Sequence, residues 1–267
     1  VRVKILYGAL FEKELPVLSK ISSESYFRIE EKNSTPHTSD IYFLKLNRFL
    51  NDSTIAGSQL MTHDVFWNET DELFSLRLRF QQKKSLTQFA LATERNYIRE
   101  RSARMRIQLD KEISNQTEFI NTTNTLSANV SSNLVRNISG NALSSDFSYR
   151  PQQQFEFGFK MEIAQNNNAQ IIVADMNTQE MRFTFSFEDK GQLRLELHRE
   201  EVQFNKINID FPFELTNGRL QGKTFLWKVM CDYRIAEYLQ TTFSYDGRKE
   251  GTRETVQTAR AELRATF

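Results

Sequence analysis

Three histidines, one cysteine and a scatter of paired carboxylates are the side chains in this 267-residue sequence that could suggest catalysis. His37, His63 and His198 stand far apart. His63 and Asp64 are adjacent in a Ser/Thr-containing stretch, an arrangement from which a hydrolytic triad could be built. Neighbouring residues of a strand point to opposite faces, however, so the pair reads as a polar surface feature rather than a base and its orienting acid. The acidic pairs Glu30-Glu31, Asp71-Glu72, Glu188-Asp189 and Glu200-Glu201 fall at strand ends or turns, where solvated charge is the default. There is no G-x-S-x-G elbow, no H-E-x-x-H and no Gly-rich phosphate loop. A lone cysteine, Cys231, excludes an internal disulfide framework and a cysteine zinc site. The expectation is no enzyme, no cofactor and no metal.

Charge arranged by phase is more informative. Arg104 and Arg106, then Glu156, Lys160 and Glu162, then Arg182, Arg194, Glu196 and His198, and finally Arg260, Glu262 and Arg264 all occupy polar positions of alternating runs. Opposite charges on neighbouring strands can pair, and a water-filled barrel lumen lined by both signs has this pattern. The outer face of a soluble β-sandwich can have it too.

The elements that must carry these residues are strands. Phe74, Leu76, Leu78 and Phe80 alternate with Ser75, Arg77 and Arg79; Phe155, Phe157, Phe159, Met161 and Ile163 alternate with Glu156, Gly158, Lys160 and Glu162. The same period recurs through Met181–Phe187, Leu193–Leu197, Ile207–Leu215, Phe225–Ile235, Leu239–Tyr245 and Ala259–Phe267. Turn signals at Gly191, Asn217-Gly218 and Asp246-Gly247 imply antiparallel hairpins. Pairing outward from Gly191 sets Phe187 beside Leu193, Phe185 beside Leu195 and Phe183 beside Leu197. Runs of nine to eleven residues between turns exceed the soluble mode of about 5–6. They match the roughly 9–11 residues with which a tilted strand crosses a bilayer. Residues 1–40 read as an irregular segment with short strands, and 41–267 as an antiparallel β-barrel region of about twelve strands. The fold class expected is all-β, an antiparallel meander of long hairpins forming a transmembrane-type β-barrel or part of one.

Composition agrees. Lys+Arg 35 against Asp+Glu 34 leaves a net charge of +1, which gives no electrostatic case for binding nucleic acid. Mean hydropathy is −0.55, and no apolar run is long enough for a transmembrane helix. Yet there are 22 phenylalanines, and period-two placement reconciles the two facts. A negative average excludes a helical membrane protein and leaves a β one open.

The C-terminal run Thr255-Val256-Gln257-Thr258-Ala259-Arg260-Ala261-Glu262-Leu263-Arg264-Ala265-Thr266-Phe267 resembles the last strand of a bacterial outer-membrane β-barrel. Such proteins typically end on Phe after alternating apolar residues, and their assembly machinery reads that strand. By resemblance, Leu263, Ala265 and Phe267 are the assembly signal, although Ala259, Ala261 and Ala265 make its apolar side thin. Trp227, Tyr233 and the segment Phe243-Ser244-Tyr245-Asp246-Gly247-Arg248 resemble barrel strands with interfacial aromatics. The resemblance implies an outer-membrane location, with outer-membrane lipid and the assembly machinery as partners. It implies a structural, pore or secretion/transport role, in the C-terminal part of a larger barrel whose upstream strands complete the sheet. The alternative is a soluble periplasmic or secreted β-sheet domain that binds a lipid, polysaccharide or protein along an apolar groove.

Overall fold

A computed structural model describes residues 2–6, 18–34, 54–90, 92–128, 136–169, 171–187, 190–206 and 213–265. Its elements are β1 (Arg2–Leu6), β2 (Ile21–Asn33), β3 (Thr54–Trp67), β4 (Phe74–Gln88), β5 (Thr93–Gln108), β6 (Ile113–Ala128), β7 (Arg136–Gln152), β8 (Phe155–Asn168), β9 (Ile172–Phe187), β10 (Gly191–Phe204), β11 (Gly222–Ala236), β12 (Leu239–Glu250) and β13 (Val256–Ala265). Two 3-10 turns, Leu18–Lys20 and Phe213–Leu215, complete the described elements. Strands follow one another in the sheet in chain order, thirteen of them. The all-β antiparallel meander of long hairpins is what the alternation predicts. His37 and Phe267 lie outside the described residues.

Contacts divide the chain into two compact units. The first comprises Val1–Thr70, Leu76–Ala103 and Ile120–Gly140; the second comprises Asp71–Ser75, Arg104–Phe119 and Asn141–Phe267. In the first unit, β1 to β4 pair antiparallel in a register that aligns Val3, Ser25, His63 and Phe80 on one face. Glu24, Asp64 and Arg79 are aligned on the other.

In the second unit, β8 to β13 form the longest continuous ladder for which the register is known, and here three expectations are corrected. First, the β9–β10 hairpin closes two residues tighter than expected. Phe187 stands opposite Gly191, Phe185 opposite Leu193 and Phe183 opposite Leu195. A shift of two leaves every side chain on its expected face, because the side-chain period is two. Second, Asp246-Gly247 is no turn; both lie inside β12, opposite Lys228 and Trp227. Gly247 is needed because its neighbour's indole occupies the space a side chain would take: a Cβ there would come within 2.3 Å of the Trp227 ring. Third, the described part of the apolar run 207–215 is not a strand. Residues 207–212 lie outside the described ones, and Phe213–Leu215 is a 3-10 turn. Pro212 has no N–H to give a ladder, and Asn217 and Gly218 adopt positive φ just beyond.

The strands also run longer than nine to eleven residues: β9 has 16, β10 has 14 and β11 has 15. Apolar alternation marks only part of each strand, and the hydrogen-bonded ladder continues through polar residues such as Asn177 and Glu201, which pair with each other. The small apolar core of this unit sits in that extension, where Ala164, Met176 and Val202 are buried together and Ala142 and Phe204 pack against them.

Candidate functional site

Register decides which of the expected charged residues meet. Directly paired residues share a face. One row across the second unit reads Gly158, Arg182, Glu196, Lys228, Asp246 and Thr258. The next reads Lys160, Glu180, His198, Leu226, Arg248 and Val256. On one side of these lies Glu156, Thr184, Arg194, Met230, Ser244 and Arg260; on the other lies Glu162, Thr178, Glu200, Thr224 and Glu250. Glu262 and Arg264 of β13 stand opposite Thr242 and Gln240. Ten of the twelve expected ladder residues therefore share one face, with signs alternating across strands in the Arg182 row. Arg104 and Arg106 are placed separately: Arg104 pairs with Glu118 at 3.0 Å, and Arg106 donates to the Asp71 carbonyl at 3.1 Å.

Side-chain geometry binds the ladder together. Arg182 reaches Asp146 at 2.6 Å and Glu180 at 3.4 Å, and His198 lies 3.8 Å from Glu180. Gly158 makes room for this hub, since a Cβ there would come within 2.9 Å of the Arg182 guanidinium. Arg150 pairs with Glu156 at 2.9 Å, and Arg219 with Glu162 at 3.2 Å. Sequence phase alone did not single out Glu180, Lys228, Asp246 or Arg248, although each occupies the polar phase of a strand. Arg219 belongs to no alternating run, so nothing in the pattern marked it.

The opposite face of the same strands is apolar and open. Its rows are Phe155, Phe185, Leu193, Cys231, Phe243 and Ala261; then Phe157, Phe183, Leu195, Val229, Tyr245 and Ala259; then Phe159, Met181, Leu197, Trp227 and Gly247. Phe155 packs on Phe185, Phe185 on Phe187 and Phe187 on Tyr233, with ring centroids 4.6, 4.9 and 5.9 Å apart. Despite these contacts Phe157, Met181, Leu197, Phe225, Ile235, Phe243 and Leu263 remain 41 to 66% exposed. Leu263 and Ala265, expected to signal assembly, stand on this face opposite Thr241 and Leu239. An apolar surface of this continuity in contact with water is unfavourable and marks a contact with something apolar.

On β9 and β10 polarity then reverses, while Met161 and Ile163 of β8 and Phe225 of β11 continue the apolar rows beside them. Beyond Met181 and Leu197 the formerly apolar face carries Gln179 with Arg199, Asn177 with Glu201 and Asp175 with Gln203. Arg199 bonds Glu201 at 2.9 Å, and Gln203 does the same at 2.9 Å. The formerly charged face in this stretch holds the buried Met176 and Val202.

In the first unit His63 and Asp64 have separate partners. Asp64 is buried and takes both Arg77, at 2.9 and 3.2 Å, and Arg79, at 2.8 and 3.2 Å. Arg77 also lies over the Phe66 ring, 5.2 Å from its centroid. His63, on the other face, shares a 2.8 Å hydrogen bond with Ser25. Asp64 therefore neutralises two guanidinium groups and does not orient the imidazole. Among the described residues, no group of His, Cys, Asp and Glu side chains is disposed to hold a metal ion.

No family model and no curated protein matches the sequence. The solved structures the chain resembles are outer-membrane β-barrels. They include the translocator domain of the autotransporter NalP from Neisseria meningitidis, at 10% identity and a TM-score of 0.28 over 79% of this chain and 80% of that one. CdiB from Acinetobacter baumannii aligns at 10% identity and a TM-score of 0.47 over 92% of this chain, which spans about half (51%) of the CdiB chain. OmpT, an outer-membrane protein of Vibrio cholerae, aligns at 7% identity and a TM-score of 0.38 over 86% of this chain and 87% of that one.

Proposed function

We propose that the chain is a bacterial outer-membrane β-barrel, or the C-terminal part of a larger one, with a structural, pore or secretion/transport role and no catalytic one. One observation carries this reading: on β8 to β13 an exposed apolar band and a charged ladder occupy opposite faces of the same residues' backbone. The band would face lipid and the ladder a water-filled lumen. Spanning the hydrocarbon is possible for such a sheet only where every backbone group is paired, which long hydrogen-bonded strands supply.

Dimensions favour the reading. On β11 the apolar face runs from Phe225 to Ile235, about 34 Å along a strand at ~3.4 Å per residue. A tilt of about 40° would reduce that to ~26 Å, against an apolar band of about 25 Å in outer-membrane barrels. The connections are asymmetric as well. Residues 153–154, 188–190 and 237–238 join strands at one edge of the second unit, and 169–171, 205–221 and 251–255 join them at the other. Short periplasmic turns and longer outer connections are the expected order for such a barrel. The C-terminal strand β13 would then end on the periplasmic side, where Leu263, Ala265 and Phe267 would be offered to the assembly machinery, and further strands of a longer protein would pair with the sheet.

Refolding from urea tests the proposal. The full chain is expected to form its sheet, read by far-ultraviolet circular dichroism, in detergent micelles or phospholipid vesicles, and to precipitate in plain buffer. A folded, soluble monomer without detergent would overturn the membrane reading and favour a periplasmic or secreted domain with an apolar binding groove.

A further inference from the structure

The connection from β10 to β11 turns inward. Leu215 and Thr216 are 0 and 1% exposed and, with Val202, are the largest fully buried side chains among the described residues. A loop residue is ordinarily among the most exposed in a protein, because its backbone needs water. Here the Asn166 side-chain amide on β8 donates to the Leu215 carbonyl at 2.8 Å and replaces that water. Arg219 then spans the charged face. Its Nη2 lies 3.2 Å from Glu162 on β8, its Nε 3.8 Å from Glu200 on β10, and its Nη1 3.9 Å from the Met176 sulfur on β9 between them.

The segment is also stiff by construction. The Phe213 carbonyl accepts from the N–H groups of Thr216 and Gly218, at 3.4 and 3.2 Å, and Arg219 N–H donates to Thr216 at 3.2 Å. Asn217 and Gly218 have φ of 54° and 82°. The Phe213 ring lies where a Gly218 side chain would be, since a Cβ there would come within 2.6 Å of it. Only glycine meets both demands at that position.

We propose that residues 213–220 form a strap folded across the charged face and latched by Arg219, so that passage along that face at the end bearing the longer connections requires the latch to open. The obstruction rests on the barrel reading, because a strap blocks passage only where the face lines a lumen. The latch is chemically suited to opening: its three polar partners are held by one guanidinium, and loss of that group leaves Glu162 and Glu200 opposing each other across β9 and the strap held only through Asn166 and the buried Leu215.

Two readouts on the full chain keep the strap and the barrel distinguishable. In a Cys231→Ser background, Thr216→Cys reports burial through its labelling rate with a water-soluble maleimide. Labelling should be slow, and should quicken about tenfold or more in Arg219→Gln, as loss of a charge-assisted contact implies. The same increase should follow Glu162→Gln with Glu200→Gln, which leaves the strap itself unaltered, while Arg219→Lys should recover much of the protection. In planar phospholipid bilayers, Arg219→Gln should raise the open fraction or conductance several-fold over the parent. Bridging Arg219→Cys and Glu162→Cys with a flexible bis-thiosulfonate, long enough to replace the two side chains, should hold conductance down until reductant is added. Fast labelling in the parent, or equal rates in all variants with normal circular dichroism, would overturn the strap. Faster labelling with unchanged conductance would overturn its role as an obstruction. Slow, latch-dependent labelling in a chain that never inserts would keep the strap and overturn the barrel.

Discussion

Asp64 shows how a residue that adjacency alone could place in a triad is found with other partners once its neighbours are known. That His63 and Asp64 point apart follows from strand geometry and was legible from adjacency alone. That Asp64 serves Arg77 and Arg79 was not, because it depends on how far β4 slides along β3, and the connection at residues 68–73 carries no turn signature that sets the register. Asp64 leaves two guanidinium groups neighbouring on β4, each about 30% exposed, if removed. Asp64→Ala should therefore cost on the order of 2–4 kcal/mol in urea unfolding in detergent, somewhat below the cost of breaking a fully buried pair. His63→Ala should cost within about 1 kcal/mol, the worth of its bond to Ser25. It should leave any trace of ester hydrolysis in the preparation unchanged; loss of hydrolysis with His63→Ala would contradict the non-catalytic reading.

Each strand from β8 to β13 was recognisable from its period, and the face of the charged residues there followed from phase. Strand ends were less legible, for a physical reason. Alternation of apolar with polar residues marks where two faces see different surroundings, and beyond Leu197 both sides of β10 carry charge while the ladder continues. Gly247 misled in the opposite direction: Asp-Gly is a strong hairpin signal, but this glycine accommodates an indole on the neighbouring strand. Gly247→Val should displace Trp227 and cost about 1–3 kcal/mol, as overpacking does, visible as lost near-ultraviolet dichroism of the indole. Leu195→Arg, in the middle of the apolar rows, should cost about 2–4 kcal/mol of stability in phospholipid vesicles, the range for a cation on the lipid face at mid-depth. Glu196→Gln, one residue on and on the other face, should cost far less. Equal effects of the two would contradict a lipid-facing band.

For the second unit as a body, the reversal of polarity along β9 and β10 is the property with the widest consequences. In one stretch the charged side is paired within the sheet and the apolar side is bare; in the next, Met176, Val202 and Leu215 are buried on one side while Arg199 and Glu201, both half-buried, pair with each other on the other. On the proposed barrel reading, a sheet of this kind would satisfy two solvents in succession, a bilayer first and water beyond it. The sequence held the first half of that statement, in the phenylalanines of a hydrophilic chain, and concealed the second, because Arg219 and Leu215 reach their partners only through the fold of a connection. On the same reading, topology also sets sidedness. An epitope inserted at Gly251 should be reachable from outside intact bacteria and one inserted at Glu237 should not, as antibody binding would read.

The most direct test is a scan of nitroxide spin labels, one at a time in a Cys231→Ser background, along β10 of the protein folded in phospholipid vesicles. Labels at Leu193, Leu195 and Leu197 should be accessible to oxygen and shielded from a water-soluble nickel chelate, and labels at Arg194, Glu196 and His198 should show the reverse. At Arg199, Glu201 and Gln203 the chelate should gain access on the formerly lipid-facing side. A profile without a period of two, or one in which Leu193, Leu195 and Leu197 are shielded from both reagents as in a dry protein core, would contradict the account.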